Sequence, residues 1–340
     1  MKVKVSYFCR KIAIRSACVF LLLIFTMPGN AAANQFAVGD RWIVDVAGRK
    51  IDTSKVFHRI ICLYGAHTEN LYFLKADDHL IGVGRNATWP AEAMIKPVYS
   101  YRDDLEKFLI AQPDLVIIRP MIDRGYGRLV TQLEKHGVTV VSLQPGTIDE
   151  MFAYWRALGL LTGHLSEAEA MVTQFKQALA QIRRTTSQLP KKKQVYFEAI
   201  HDRMRTFTPN AMPTFALEAA GGINVAADAP SRRGTNIADY GKERILSHSN
   251  QIEVYLAQVG PMNRPTVARI KAEPGYQLIR AVREDKVFLI DEQLVSRPTM
   301  RLLTGIRHIS AILYPQLFAN EQALLGLEDP TPSTIKELKQ

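Results

Sequence analysis

The sequence predicts an α/β protein built as two Rossmann-like lobes with mainly parallel sheets, joined by a single long α-helix. Three observations carry this reading. Short β-branched runs alternate with helical patterns between residues 59 and 142, as in βα units that stack into a parallel sheet. The rhythm then stops, and residues 148–187 read as helix. It resumes at residue 194 and continues to residue 314. At roughly 150 residues per domain, a chain of 340 residues has room for two such lobes.

Composition narrows the class. Hydrophobic residues make up 47% and charged residues 22%, which excludes a mostly disordered chain. The 20 glycines and 17 prolines are too scattered for a collagen-like or low-complexity protein, and 3 cysteines cannot build a disulfide scaffold.

Residues 1–33 read as a secretory signal. Lys2, Lys4, Arg10, Lys11 and Arg15 form a basic opening without an acid. Residues 16–27 are apolar, Pro28 and Gly29 break the run, and Ala31, Ala32 and Ala33 supply a small-residue cleavage site. The apolar run is shorter than the about 20 residues that span a bilayer core. Cys18 lies at the start of that run and not after its end, so lipidation is not expected. The formal net charge of +10 hints at nucleic acid, but cleavage removes five basic residues and halves it. Cleavage also removes Cys9 and Cys18. Cys62 is left without a disulfide partner, in an apolar run that reads as a buried strand. The expected location is the periplasm of a Gram-negative bacterium.

The mature chain opens with a hairpin, residues 41–46 and 50–52 around a turn at Gly48. Strands follow at 59–63, 80–83, 114–118 and 138–142, with helices at 67–75, 103–111 and 126–135 between them. Residues 148–161 are helical, Gly163 interrupts, and 166–187 are helical again. There Ala168, Met171, Val172, Phe175, Leu179 and Ile182 recur at spacings of three and four, one apolar stripe on a helix about 33 Å long. Ser166 and Glu169 have the spacing of a capping box. Arg183, Arg184 and the lysines 191–193 flank the helix exit; no aromatic residues interleave, so they read as a solvated surface. Strands at 194–199, 251–256 and 286–290 and helices at 213–220 and 300–314 complete the second lobe. The expected divisions are a first lobe at 34–163, a connecting helix at 164–189, a second lobe at 190–320 and a polar tail at 321–340.

Catalytic signatures are missing. The sequence has no P-loop, HExxH, CxxC or GxSxG. Gly82-x-Gly84-x-x-Ala87 matches a dinucleotide fingerprint loosely. Thr88, Trp89 and Pro90 follow where a helix should open, so it reads as a turn at a strand end. The 8 histidines show no ligand spacing, and a bare-metal site would need convergence over long range.

Several segments resemble the periplasmic substrate-binding proteins of ABC importers that carry ferric siderophores, haem and vitamin B12. They are the hairpin turn Asp45-Val-Ala-Gly-Arg49, the strand Asp78-His-Leu-Ile-Gly-Val83 and the run Asp104-Leu-Glu-Lys-Phe-Leu-Ile-Ala-Gln-Pro-Asp-Leu-Val116. Further on are Leu158-Gly-Leu-Leu-Thr-Gly163, Leu217-Glu-Ala-Ala-Gly-Gly-Ile-Asn-Val225 and Ala281-Val-Arg-Glu-Asp-Lys-Val287. Their order covers residues 41 to 318. The resemblance implies capture of a small-molecule chelate between the lobes, without catalysis and without a resident cofactor. It implies delivery to an inner-membrane permease, by a monomer that does not bind nucleic acid. It also implies one docking glutamate per lobe, at Glu106 and Glu243. Asp103 and Glu106 have capping-box spacing too, and Glu243 suits a first helical turn. In the second-lobe motif Ser249-Asn-Gln-Ile252 replaces the family's usual Pro-Asp pair.

Ligands of such folds bind at the carboxyl ends of parallel strands. The loops there offer Tyr64, His67, Trp89, Tyr99, Tyr101, Arg119, Arg124, His201, Arg203, Arg205, Asn236 and Arg297 as ligand-binding residues. Tyr126, Arg232, Arg233, Met262 and Asn263 lie in the same loops. Aromatic area with guanidinium groups suits a flat or anionic chelate. Tyr64 and His67 are the candidates for ligating haem iron. Arg297 could instead pack locally before Pro298. The leading expectation is an iron chelate, either a ferric siderophore or haem. The alternatives are a corrinoid, a bare metal held by clustered ligands, and, last, a secreted enzyme.

Overall fold

The computed structural model describes residues 36–230 and 235–318. The expected signal at 1–33, Arg232 and Arg233, and the expected polar tail at 321–340 lie outside the described residues.

β1 (Ala37–Val38), β2 (Trp42–Val44) and β3 (Lys50–Asp52) form a small antiparallel sheet. Gly48 takes a φ of 84° in the β2–β3 turn, a conformation that favours glycine. Buried Asp45 organises this turn by accepting from the backbone N–H groups of Ala47 and Arg49, at 3.0 and 2.8 Å. Its second oxygen accepts from Ser142 N–H at 2.8 Å, which fastens the hairpin to the first lobe.

The first lobe runs β4 (Ile60–Cys62), α1 (Gly65–Phe73), β5 (Leu80–Gly84), β6 (Val98–Tyr99), α2 (Leu105–Ile110), β7 (Leu115–Ile118), α3 (Pro120–Gly125), α4 (Gly127–Lys135) and β8 (Thr139–Ser142). Its strands are all parallel, in the order β6-β5-β4-β7-β8. β4 and β7 are buried along their whole length, as a sheet covered on both faces requires. Cys62 lies buried in β4 as a free thiol, as its apolar run indicates, and burial pushes its pKa up.

The chain then passes through α5 (Ile148–Thr162) and α6 (Leu165–Ser187). A capping box of Thr147 and Glu150 starts α5, and Gly163 ends it in the left-handed conformation. The capping box expected at Ser166 does not form. His164 is the N-cap residue of α6, the Ser166 hydroxyl donates to Glu167, and Glu169 pairs with Arg156 at 2.6 Å. The apolar stripe of α6 is buried as its spacing predicts.

The second lobe contains β9 (Lys193–Ile200), β10 (Arg205–Phe207), α7 (Met212–Ala219), β11 (Gly222–Asn224), β12 (Ile237–Asp239), α8 (Lys242–Ser247), β13 (Val254–Val259), α9 (Val267–Lys271), α10 (Arg280–Arg283), β14 (Val287–Asp291), α11 (Glu292–Val295), α12 (Leu302–Leu313) and α13 (Pro315–Phe318). The sheet order is β12-β10-β9-β13-β14, with β11 beside β9. β11, β9, β13 and β14 are parallel, while β10 pairs antiparallel with both β9 and β12. β13 starts three residues later than the sequence indicates, because Gln251 and Ile252 bond back to His248 to close α8.

One apolar core crosses both lobes. It includes Leu71 of α1, Trp155 of α5, Phe175 of α6, Leu217 of α7, Phe197 of β9 and Ile306 of α12. At the lobe boundary, the link between α11 and α12 inserts into the first lobe. The Pro298 carbonyl accepts from Asn70 Nδ2 at 3.0 Å and from Trp155 Nε1 at 3.1 Å. Beside it, Arg297 donates to the Glu69 carboxylate, and Arg301 lies 3.6 Å from the other Glu69 oxygen. Glu69 is 0% exposed and Arg297 5%.

Removing one partner of a buried ion pair strands the other charge. Glu69→Ala is expected to lower unfolding free energy by about 3–5 kcal/mol in urea titrations.

Candidate functional site

The first sheet reverses its winding direction between β4 and β7, and ligands gather at such a switch point. Tyr64 follows β4 as the N-cap residue of α1, and Arg119 follows β7 directly. The Arg119 guanidinium sits 4.7 Å from the centroid of the Tyr64 ring. Burial raises the Tyr64 phenol above its ordinary pKa, against Arg297 and Arg119. Trp89 follows β5, stacks on Phe73 at 4.9 Å and lies under the Arg301 guanidinium at 5.2 Å.

The second lobe meets this floor from the carboxyl end of β14. Thr88 Oγ1, next to Trp89, donates to Gln293 Oε1 at 2.7 Å. Neighbouring Glu292 is half-buried; burial raises its pKa, while Arg297 and Arg119 act against the rise. Its carboxylate lies over Gly260, where any Cβ would collide with it. Gly65 serves the same close approach, since a Cβ there would stand 2.5 Å from the Asn86 carbonyl and 2.7 Å from Arg297 Nη1. Arg297 Nη2 also donates to that carbonyl at 2.9 Å, and Asn86 Oδ1 accepts from Gly65 N–H at 3.0 Å. The floor is therefore aromatic rings beside a fixed set of charges.

Of the sequence-derived candidates, Tyr64, Arg119 and Arg297 come together here, with Arg297 already bound to Glu69, while Trp89 lies farther along α1 against Phe73 and Arg301. The others lie elsewhere. His67 is 0% exposed in α1. Its Nε2 faces the Ile118 carbonyl at 3.1 Å and must donate to it, so its Nδ1 accepts from the Tyr154 hydroxyl at 2.6 Å. Burial keeps this ring neutral, with a pKa lowered to about 3. Tyr99 packs in the core against Phe108 at 5.2 Å, filling the space that Gly82 leaves. Tyr101 pairs with Tyr126 at 4.4 Å. Arg124, Arg203 and Asn236 are exposed, and Arg205 pairs with Asp239 at 2.8 Å. Met262 is exposed, whereas Asn263 is buried and accepts from His201 N–H at 2.9 Å.

His201 is 2% exposed, and its Nδ1 contacts Glu198 Oε2 at 2.8 Å. The Tyr255 hydroxyl donates to the same carboxylate oxygen. The hydrogen bond to Glu198 raises the His201 pKa, and burial opposes it. Among the described residues, no group of three or more His, Cys, Asp or Glu side chains is placed to hold a metal ion, and no helix is long and apolar enough to cross a membrane.

Glu106 and Glu243 are both exposed, each in the first turn of a six-residue helix. Asp104, not Asp103, is the N-cap residue of α2. Asp103 instead accepts from Ser100 N–H at 2.9 Å and from Lys107 Nζ at 2.6 Å, so the capping box expected with Glu106 does not form. Glu106 lines an open groove of about 660 Å³ with Tyr101, Tyr126 and Arg128.

Sequence reasoning passed over Glu69, Glu292 and Arg301. Glu69 sits in a helix turn with His67, Thr68 and Asn70, where no motif marks it, and Glu292 follows a strand end that carried no motif.

A family model described as periplasmic binding protein matches residues 60–294. An ABC transporter substrate-binding lipoprotein of Bacillus subtilis is 24% identical over 281 residues, 81% of this chain and 86% of that protein. The vitamin B12-binding protein of Vibrio cholerae is 24% identical over 258 residues, 75% of this chain and 88% of that protein. The periplasmic heme-binding protein RhuT from Roseiflexus sp. shares the fold. Its TM-score is 0.65 at 22% identity, covering 76% of this chain and 99% of that one.

The Glu198–His201 contact sets a pH dependence. A histidine whose folded pKa is raised stabilises fully below its unfolded value and loses that contribution as pH rises through the folded value. Urea stability is thus expected to fall as pH rises from the ordinary histidine value of about 6.5 through the raised folded value, and His201→Gln is expected to remove this component.

Proposed function

Because the chain belongs to the periplasmic binding protein family, matched over residues 60–294, we propose that it is the exported receptor of an ABC importer. In this reading it captures a metal chelate between its lobes and hands it to the inner-membrane permease. The observation that carries the reading is the Arg119–Tyr64 pair at the switch point of the first sheet, with Glu292 of the second lobe within electrostatic reach of it. Rings supply contact area for a flat ligand, and guanidinium groups bind carboxylates or carbonyl groups at its edge.

The family's role is capture, and release is driven by the importer. No step here needs a nucleophile, a general base or a resident cofactor. Both ring nitrogens of His67 are engaged in the core, and the Tyr64 phenol is held protonated by burial. A cargo whose metal arrives with its coordination shell filled suits such a floor better than one that needs a protein ligand. A corrinoid meets that condition, and the relative from Vibrio cholerae is named for vitamin B12. A ferric siderophore meets it as well.

Glu106 and Glu243 are proposed as the permease contacts. Two exposed like charges, one on each lobe, orient an encounter with a basic surface while adding little affinity.

Native mass spectrometry with a visible spectrum, on protein taken from the periplasm, is expected to show a bound corrinoid or siderophore. A haem Soret band would redirect the assignment, and turnover of the chelate would end the receptor reading. Replacing Glu106 and Glu243 together by Ala is expected to abolish uptake in cells while leaving the purified protein's affinity for its cargo unchanged.

A further inference from the structure

Two charged side chains of the cleft remain uncommitted. Arg119 rests on the Tyr64 ring, and Glu292 sits over Gly260. Among the described residues neither makes a hydrogen bond or a direct ion pair, although each lies within the other's electrostatic reach. The remaining charges nearby are engaged: Glu69 is bound by Arg297, and Arg301 lies beside the same carboxylate.

We infer that Arg119 and Glu292 form a split specificity pair, one charge from each lobe, which selects a cargo whose edge carries both hydrogen-bond acceptors and donors. This rests on the cleft being the cargo site. Arg119 offers only donors, five N–H groups in a fixed fork, and an ionised carboxylate only accepts. A carboxamide presents a carbonyl to the first and an NH₂ to the second. A ring edged with amides can therefore satisfy both lobes at once. An edge made only of carboxylates satisfies Arg119 and meets Glu292 with like charge, in a half-buried place where water screens poorly.

The position of Glu292 supports selection over mere solubility. Surface glutamates swing freely, but this one occupies the space that a glycine leaves at the end of β13. It directly precedes Gln293, which bridges to the first lobe through Thr88. Its carboxylate thus lies at the junction of the lobes.

The test uses two probes built on related macrocycles, cyanocobalamin with its amide edge and haemin with its two propionates. Affinities are measured by quenching of tryptophan fluorescence, and Tm is recorded for each protein. In Glu292→Gln, cyanocobalamin affinity is expected to fall roughly tenfold, since a charge-assisted bond is lost. Haemin affinity is expected to rise, and Tm to stay unchanged. Arg119→Gln is expected to weaken both probes. Equal shifts for both probes in Glu292→Gln, or no shift, would overturn the specificity pair while leaving the receptor reading intact. A wild-type protein that binds neither probe would overturn the pair, and a siderophore bound to the protein taken from the periplasm would then keep the cargo site.

Discussion

The insertion of residues 297–299 into the first lobe governs the arrangement of the molecule. Pro298 gives its carbonyl to two buried donors from different helices, and Arg297 brings a positive charge to a carboxylate that has no access to water. A buried ion pair adds little net stability over an apolar pair, because removing both charges from water is expensive. Its value is geometric. Only one placement of the second lobe satisfies Glu69, Asn70 and Trp155 together, so the joint fixes the residues around the switch point. The apolar core that runs through α5, α6, α7 and α12 acts in the same direction. In the proposed receptor, closure over a cargo would come from small adjustments at the rim, not from a wide swing.

That joint explains the division of labour among the charges around it. Glu69, Arg297 and Arg301 serve the joint. Arg119 and Glu292 stand beside them without a hydrogen-bonding partner. Preorganised charges need not be ordered at the moment of binding, which lowers the entropic cost of recognition. The neutral, fully engaged His67 beneath them carries no charge into the cleft.

Much of this architecture was legible in the sequence, for identifiable reasons. The buried strands β4 and β7 announce themselves as β-branched runs, and the stripe on α6 repeats with the helical period. β10 and β12 escaped notice because strands of three residues are too short to show alternation. The capping boxes at Ser166 and Asp103 failed because spacing alone does not say where a helix starts; an upstream residue took the cap in the first case and a downstream one in the second. Tyr64, Trp89 and Arg119 lie after the carboxyl ends of β4, β5 and β7, and such loops at strand ends can be read from the chain. Tyr99 was placed there too, but a two-residue strand beside Gly82 turns its ring inward. Glu69 and Glu292 could not be found this way. Their importance depends on partners more than 200 residues distant, or across the lobe boundary.

The continuous core also bears on how such a chain can change over generations. Two lobes joined by a loose strap can be exchanged between relatives by recombination, because each half keeps its own interior. Here each half supplies part of the other's interior, from Leu71 and Trp155 on one side to Leu217 and Ile306 on the other. A crossover within α6 would bring together halves that had never packed against each other. New cargo preferences are therefore expected to arise by substitution at the cleft rim, while the joint beneath it is inherited as a unit.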